Sequence, residues 1–188
     1  TARELTRAMD EIVWAVNPKH DTLDSLASYL GRFGQDFLAA AHIPCRLDVP
    51  TQLPHWPVTA DIRHNLFLAF KEALNNAIKH SGTSEVRILL EIHDKGDLST
   101  RNGNGNGVGT GFVVRVEDQG CGFSPNGSGP AAHPEAMQDR LAGGNGLPGM
   151  RQRLEQLGGR LEIESSSRGT TITARISEKQ CAAYSQSA

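Results

Sequence analysis

Glu72, Asn76 and Lys79 are the residues whose types and spacing first suggest chemistry. They lie in NLFLAFKEALNNAIKHSG, residues 65–82, at positions i, i+4 and i+7. Ile62, Leu66, Ala69, Phe70, Ala73, Leu74, Ala77 and Ile78 recur there at helical spacing and make one apolar face. The three polar residues form a stripe beside it. Asn is a poor helix former, because its amide competes for backbone hydrogen bonds. The adjacent Asn75 and Asn76 therefore oppose local propensity in an otherwise good helix. One reading is a solvated face that tolerates them. The other is a carboxylate and an amide oxygen aimed at a metal, with Lys79 placed for phosphate. The glycine-rich stretches further along decide between the two.

Asp118 is the second candidate. Phe112, Val114 and Val116 share a strand face, and Asp118 has the same parity. The pattern points a carboxylate toward the core, where an unpaired charge is costly. Either the alternation fails at the last residue, or something hydrogen-bonds Asp118. Gln119-Gly120-Cys121-Gly122 follows, and its two glycines let the backbone come close to a ligand. Gly144-Asn145-Gly146-Leu147-Pro148-Gly149 matches G-x-G-x-x-G literally. It follows a loop rather than a strand, and the chain lacks alternating β-α units, so a dinucleotide fingerprint is rejected.

The elements that must position these residues follow from periodicity. Leu5, Met9, Ile12, Val13 and Val16 form a helical stripe stopped by Asn17-Pro18. Asp21 or Thr22 caps a second helix through Leu23, Leu26, Leu30, Phe33, Phe37 and Leu38, ended by Pro44. Cys45 to Val49 is β-like, and Thr59 caps the central helix. Val86, Ile88, Leu90 and Ile92 alternate as a strand, with Leu89 off pattern. Residues 95–111 read as an elaborated hairpin loop, and 124–146 as a lid or disordered segment. A helix from Leu147 to Leu157 and two strands around Leu161–Ile163 and Ile172–Ile176, turning at Arg168-Gly169, complete the domain. The polar tail after Glu178 reads as frayed.

A chain of 188 residues with 38% hydrophobic content forms one domain with an appendage. A net charge of −2 gives no reason to expect nucleic acid. Cys45, Cys121 and Cys181 are odd in number and far apart, which argues against a disulfide framework or a zinc site. No apolar run is long enough to span a bilayer. The start at Thr1, inside a helical pattern, leads us to expect a piece of a longer protein.

The ordered set is E-x-x-x-N on a helix, a strand ending D-x-G-x-G, a long loop, G-x-G opening a helix, and a final strand pair with Thr170-Thr171. It resembles the ATP-binding domain of sensor histidine kinases, in the superfamily that includes gyrase, heat-shock-90 and mismatch-repair ATPases. The match covers roughly residues 59–177. Residues 72–80 resemble the family's N box, 118–122 its first glycine box and 144–147 its second. GNGLPGMRQRLEQLGG resembles most closely the dimeric kinases related to the nitrate sensors.

The resemblance implies a two-layer α/β sandwich, with a mixed, mostly antiparallel sheet, helices on one face and a long ATP lid. It implies ATP and Mg²⁺ as cofactors. Asp118 would accept a hydrogen bond from the adenine amine and disfavour guanine. Gly120 and Gly122 would admit the base and sugar. Asn76 would offer its oxygen to Mg²⁺, and Glu72 would hold a metal-bound water. Lys79 and His80 would meet phosphate, as would the backbone at Gly144, Gly146 and Leu147. Thr171 would support the adenine site, or is a plain strand Thr. Residues 1–20 would end a dimerisation helix, 21–178 would form the catalytic domain and 179–188 a disordered tail. The implied partners are a dimerisation and acceptor-helix domain, a response regulator receiver domain, and a second copy in the full-length protein. Location would be cytoplasmic, with the full-length protein anchored in the inner membrane. None of the seven histidines has the context of the family's phospho-acceptor. The alternatives are a non-catalytic nucleotide-binding module, a related ATPase or an anti-sigma serine kinase.

Overall fold

A computed structural model of the chain describes Trp14 and residues 21–93, 110–122 and 146–182. The stripe at 5–16 (Trp14 apart), the 95–111 loop but for its last two residues, the lid before Gly146 and the tail beyond residue 182 lie outside the described residues.

Helix α1 (Leu23–Ala40) starts where the Thr22 hydroxyl accepts a hydrogen bond from the Ser25 amide at 3.2 Å. That satisfies one of the donors a helix start leaves open. Helix α2 (Ala60–Asn76) is capped in the same way by Thr59. Its α geometry stops at Asn76. Ala77–Ser81 form a wider π-helical turn, and Gly82 closes it with φ of 61°. The 3.6-residue spacing therefore does not extend to Lys79 and His80, whose directions are set by the π turn.

Five strands follow: β1 (Cys45–Asp48), β2 (Val86–His93), β3 (Gly111–Asp118), β4 (Arg160–Ser166) and β5 (Gly169–Ser177). Their order in the sheet is β1-β2-β3-β5-β4. β1 pairs with β2 in parallel, and the other three pairings are antiparallel. This is the mixed, mostly antiparallel sheet expected. Helix α3 (Gly146–Gln156) lies between β3 and β4 in the chain.

One face of the sheet supplies Val86, Ile88, Leu90, Phe112, Val114, Val116, Ile172, Ala174 and Ile176 to the core. Against it pack Leu26, Leu30 and Leu38 of α1, Leu66, Phe70 and Leu74 of α2, and Met150 and Leu154 of α3. Alternation places Arg87, Glu91, Arg115, Glu117 and Arg175 on the other face, where they form ion pairs such as Arg115–Glu91 at 3.2 Å and Arg175–Glu162 at 3.0 Å. Partly exposed pairs of this kind contribute little stability. The larger layer of burial is the helical one, although Leu89, His93, Val113 and Thr173 are also buried on the charged face.

Two features depart from the pattern read above. Leu89 is buried on the charged face at 5% exposure, so it is not a strand error. Residues 179–182, read as part of a frayed tail, belong to helix α4 (Glu178–Ala182). Its start is tied down by Ser177 and Gln180, whose side chains each accept the other's backbone amide, and by Glu178 N–H donating to the Thr110 carbonyl at 2.8 Å. Cys181 is fully buried, and burial pushes its thiol up to about 11. A single apolar side chain seated in the core outweighs the polar composition around it.

Trp14 stacks face to face on Tyr29, with ring centroids 3.6 Å apart, and the Arg63 guanidinium lies over it at 5.9 Å. Arg63 is fully buried on the first turn of α2, donating to Asp21 and, at 2.7 Å, to the Val58 carbonyl. A buried guanidinium is tolerable because these acceptors replace its water.

Candidate nucleotide site

The C-terminal ends of α2 and β3 meet at one end of the sheet, beside its central strand. α2 brings Glu72 and Asn76, both half-buried, four residues apart on one face. The π turn then adds exposed Lys79 and half-buried His80. π-helical turns inside α-helices are frequent at functional sites, because they redirect side chains the α ladder would fix.

Asp118 ends β3 opposite Thr170 of β5. Its Oδ1 accepts hydrogen bonds from the Gly120 amide at 2.9 Å and from the Thr170 amide at 3.3 Å. The alternation therefore holds to the last residue, and two backbone amides answer the inward carboxylate. Burial nonetheless pushes its carboxyl above the ordinary carboxylate range, against the opposing pull of those amides. Among the described residues only Oδ1 accepts these hydrogen bonds, which leaves Oδ2 as the acceptor for a ligand.

The glycine loop after Asp118 runs between two backbone walls. A Cβ at Gly120 would lie 2.2 Å from the Ser81 carbonyl oxygen. At Gly122, φ is 60° and a Cβ would lie 1.8 Å from the Ser166 carbonyl oxygen. Neither wall can rotate aside as a side chain could. We expect Gly120→Ala to lower stability by about 1–3 kcal/mol and to weaken nucleotide binding by separating the loop from Ser81. Chemical denaturation and calorimetry with ATP read the two effects. Unchanged values in both would show that the loop has room.

Gly146, the first residue of α3, faces α2. A Cβ there would meet Glu72 Oε1 at 2.5 Å. The Glu72 carboxylate thus lies against a helix N-terminus, where the backbone partial charge favours anions and where phosphate oxygens are bound by N–H groups. Leu147 is half-buried beside it. Gly144 lies outside the described residues.

Thr171 requires a correction. It pairs with Glu117, whereas Thr170 pairs with Asp118. A shift of one residue moves a strand side chain to the opposite face. Thr170 is buried at 8%, and its hydroxyl lies 3.0 Å from that of Ser165. It shares the parity of Ile172 and Ala174, a signal already present in the sequence. Ser81 and Thr83, which reach the glycine loop, were missed because loop partners have no period.

Among the described residues no group of three or more His, Cys, Asp or Glu is placed to hold a metal ion. The site instead combines an inward carboxylate, a glycine-walled loop, an amide and carboxylate pair, a basic turn and a helix start. These are the parts needed to hold a base at one end and a charged phosphate chain at the other.

Residues 61–180 match the family described as histidine kinase-, DNA gyrase B- and HSP90-like ATPases. Over 106 residues the chain is 32% identical to the sensor histidine kinase ComP of Bacillus subtilis (strain 168), covering 56% of this chain and 10% of ComP. The chain therefore spans about a tenth of the length of that curated relative. The histidine kinase domain of the Erythrobacter litoralis EL346 blue-light-activated histidine kinase superposes with a TM-score of 0.55 at 19% identity, covering 86% of this chain and 65% of that domain. The Acinetobacter baumannii histidine kinase AdeS superposes with a TM-score of 0.54 at 16% identity, covering 94% and 78%. With the family match spanning well over half of its length, and histidine kinases sharing its fold, the chain belongs to the histidine kinase-, DNA gyrase B- and HSP90-like ATPase family.

Proposed function

We propose that this chain is the ATP-binding catalytic domain of a two-component sensor histidine kinase. The full protein moves the γ-phosphoryl group of ATP to a histidine on a dimerisation and acceptor-helix domain, and from there to a response regulator. The observation that carries this reading is Asp118: an inward, half-buried carboxylate held through Oδ1 by two amides, at the mouth of a glycine-walled loop. Oδ2 accepts from the adenine amine. Guanine presents a carbonyl at that position, so it is repelled.

The donor set at the other end fits Mg²⁺. One amide oxygen and one carboxylate, four residues apart on a helix, would suit a hard cation that keeps most of its water. When bound, the ion neutralises charge that develops on the transferring phosphoryl group. Asn76, through its amide oxygen, and Glu72, through a water, are the residues that would hold that ion. Lys79, with His80 beside it, meets the phosphate chain as a point charge. The N-terminus of α3 at Gly146 and Leu147 offers backbone N–H groups to phosphate oxygens. The acceptor imidazole is itself the nucleophile. It attacks the γ-phosphorus as the bond to ADP breaks, so this chain's task is positioning and charge stabilisation.

The acceptor domain, the response regulator, homodimerisation, a cytoplasmic setting and an inner-membrane anchor belong to this reading of the full protein. No described helix is long and apolar enough to cross a membrane. The test mixes this chain with a separately produced acceptor-helix domain and Mg²⁺-ATP, and follows acid-labile phosphohistidine by mass spectrometry. Its appearance supports the proposal. Tight ATP binding with no phosphohistidine would favour a regulatory nucleotide-binding module. Phosphoserine on a partner would favour a serine kinase.

A further inference from the structure

We propose that Thr83 is a positioning residue that fastens the adenine loop to the end of the metal-binding helix, and so sets the spacing at which one nucleotide is held at both ends. The proposal rests on the nucleotide reading above. Its basis is where the backbone amides after β3 go.

Sheet pairing ends at Asp118. The next three amides are satisfied elsewhere. Gln119 N–H donates to the Thr83 hydroxyl at 3.1 Å, Gly120 N–H to Asp118 at 2.9 Å, and Cys121 N–H to the Ser81 carbonyl at 2.9 Å. The loop is thus stitched to Ser81, the last residue of the π turn, and to Thr83 just beyond it.

Thr83 is well suited to be the rigid part of that stitch. Its hydroxyl donates to the Glu85 carbonyl at 2.6 Å and accepts from the Glu85 amide at 3.3 Å as well as from Gln119. One donor and both acceptor positions are in use, which fixes the rotor. Thr83 N–H in turn donates to the Ser81 hydroxyl at 3.0 Å, and that hydroxyl donates to the Ala77 carbonyl. An unbroken chain of hydrogen bonds therefore runs from Ala77, one residue past Asn76, to the amide next to Asp118.

ATP held by Asp118 at its base and by Asn76 and Lys79 at its phosphates spans the two ends of this chain. A ligand that must satisfy both ends loses affinity when their separation is free to vary. Gln119 is exposed and Glu85 half-buried, so water can replace the Thr83 hydroxyl at the Gln119 amide and at the Glu85 amide and carbonyl, and the cost to the fold is modest.

The test compares wild type with Thr83→Val, which keeps shape and loses the hydroxyl, and with Thr83→Ser, which keeps the hydroxyl. Thr83→Ala serves if the valine variant does not fold. Calorimetry with a non-hydrolysable ATP analogue and Mg²⁺ should show affinity lowered about fivefold in Thr83→Val and restored in Thr83→Ser. The melting temperature should shift by no more than about 3 °C. If wild type binds no nucleotide, the nucleotide reading itself fails. If wild type binds and the valine and alanine variants bind equally well, the positioning role is overturned while the nucleotide site stands. An affinity loss that comes only with a large fall in melting temperature, unrescued by serine, would reduce Thr83 to a structural residue and also overturn the proposal.

Discussion

Asp118→Asn is expected to remove selective ATP binding without weakening the fold. The asparagine oxygen can take over both amide contacts now made by Oδ1. Its NH₂ group then replaces Oδ2 and meets the adenine amine donor to donor. Losing a charge-assisted acceptor costs about 1.5–3 kcal/mol, so the ATP dissociation constant should rise about 10–100-fold. The same NH₂ can donate to the guanine carbonyl, so discrimination against GTP should narrow.

The pH dependence separates fold from ligand. Burial raises the folded-state pKa of Asp118 above its unfolded value, so folding favours the protonated form. The penalty for its charge is absent at pH below the unfolded value. It grows as pH rises toward the folded value and is fully present above it. Asn pays no such penalty. The stability of Asp118→Asn relative to wild type should therefore rise through that window and then level off. ATP binding by wild type needs the charged form, so it should weaken on acidification at a higher pH than an ordinary aspartate would require. Thermal melts and calorimetric titrations across the acidic range check both trends. A variant whose relative stability falls with rising pH would contradict the buried-carboxylate account.

Asn76→Ala carries the second large effect. Asn76 is the last residue with α geometry before the π turn, and alanine is the better helix former there. Stability should hold or rise slightly. Phosphoryl transfer to the supplied acceptor domain should fall about 10²–10³-fold, the usual cost of removing one electrostatic contributor to a charged transition state. Nucleotide affinity without Mg²⁺ should be unchanged, and the gain from adding Mg²⁺ should shrink. Asn75→Ala is the control, because Asn75 lies off the Glu72–Asn76 line. Equal loss in both variants would point to a helix-packing effect and remove Asn76 from metal binding.

Much of this site was legible in the chain because periodicity carries it. The 3.6-residue spacing from Ile62 to Ala77 told which face of α2 is buried and left Glu72 and Asn76 beside it. The two-residue alternation of Phe112, Val114 and Val116 pointed Asp118 inward before any partner for it was known. The caps at Thr22 and Thr59 and the break at Gly82 marked helix ends through local chemistry. Such signals concern a residue and its near neighbours, so a single sequence contains them.

The remainder needed the folded molecule. The exchange of Thr170 for Thr171 came from pairing register, which β3 and β5 decide together. The π turn that redirects Lys79 and His80 does not follow from the apolar stripe, which reads through it unchanged. Helix α4 is anchored by Cys181 in the core and by the hydrogen bonds at its start, which a polar stretch does not advertise. Sequence alone determined the α/β class, the residue types of the site, the inward side of Asp118 and the shared helix face of Glu72 and Asn76, because these depend on local propensity and period. Only the tertiary structure decided which amides answer Asp118, which carbonyls wall the glycine loop, and that Thr83 ties its two halves together. Apart from the Gly120 amide, two residues from Asp118, those contacts join residues 36 to 52 positions apart, and no local pattern encodes a distance of that kind.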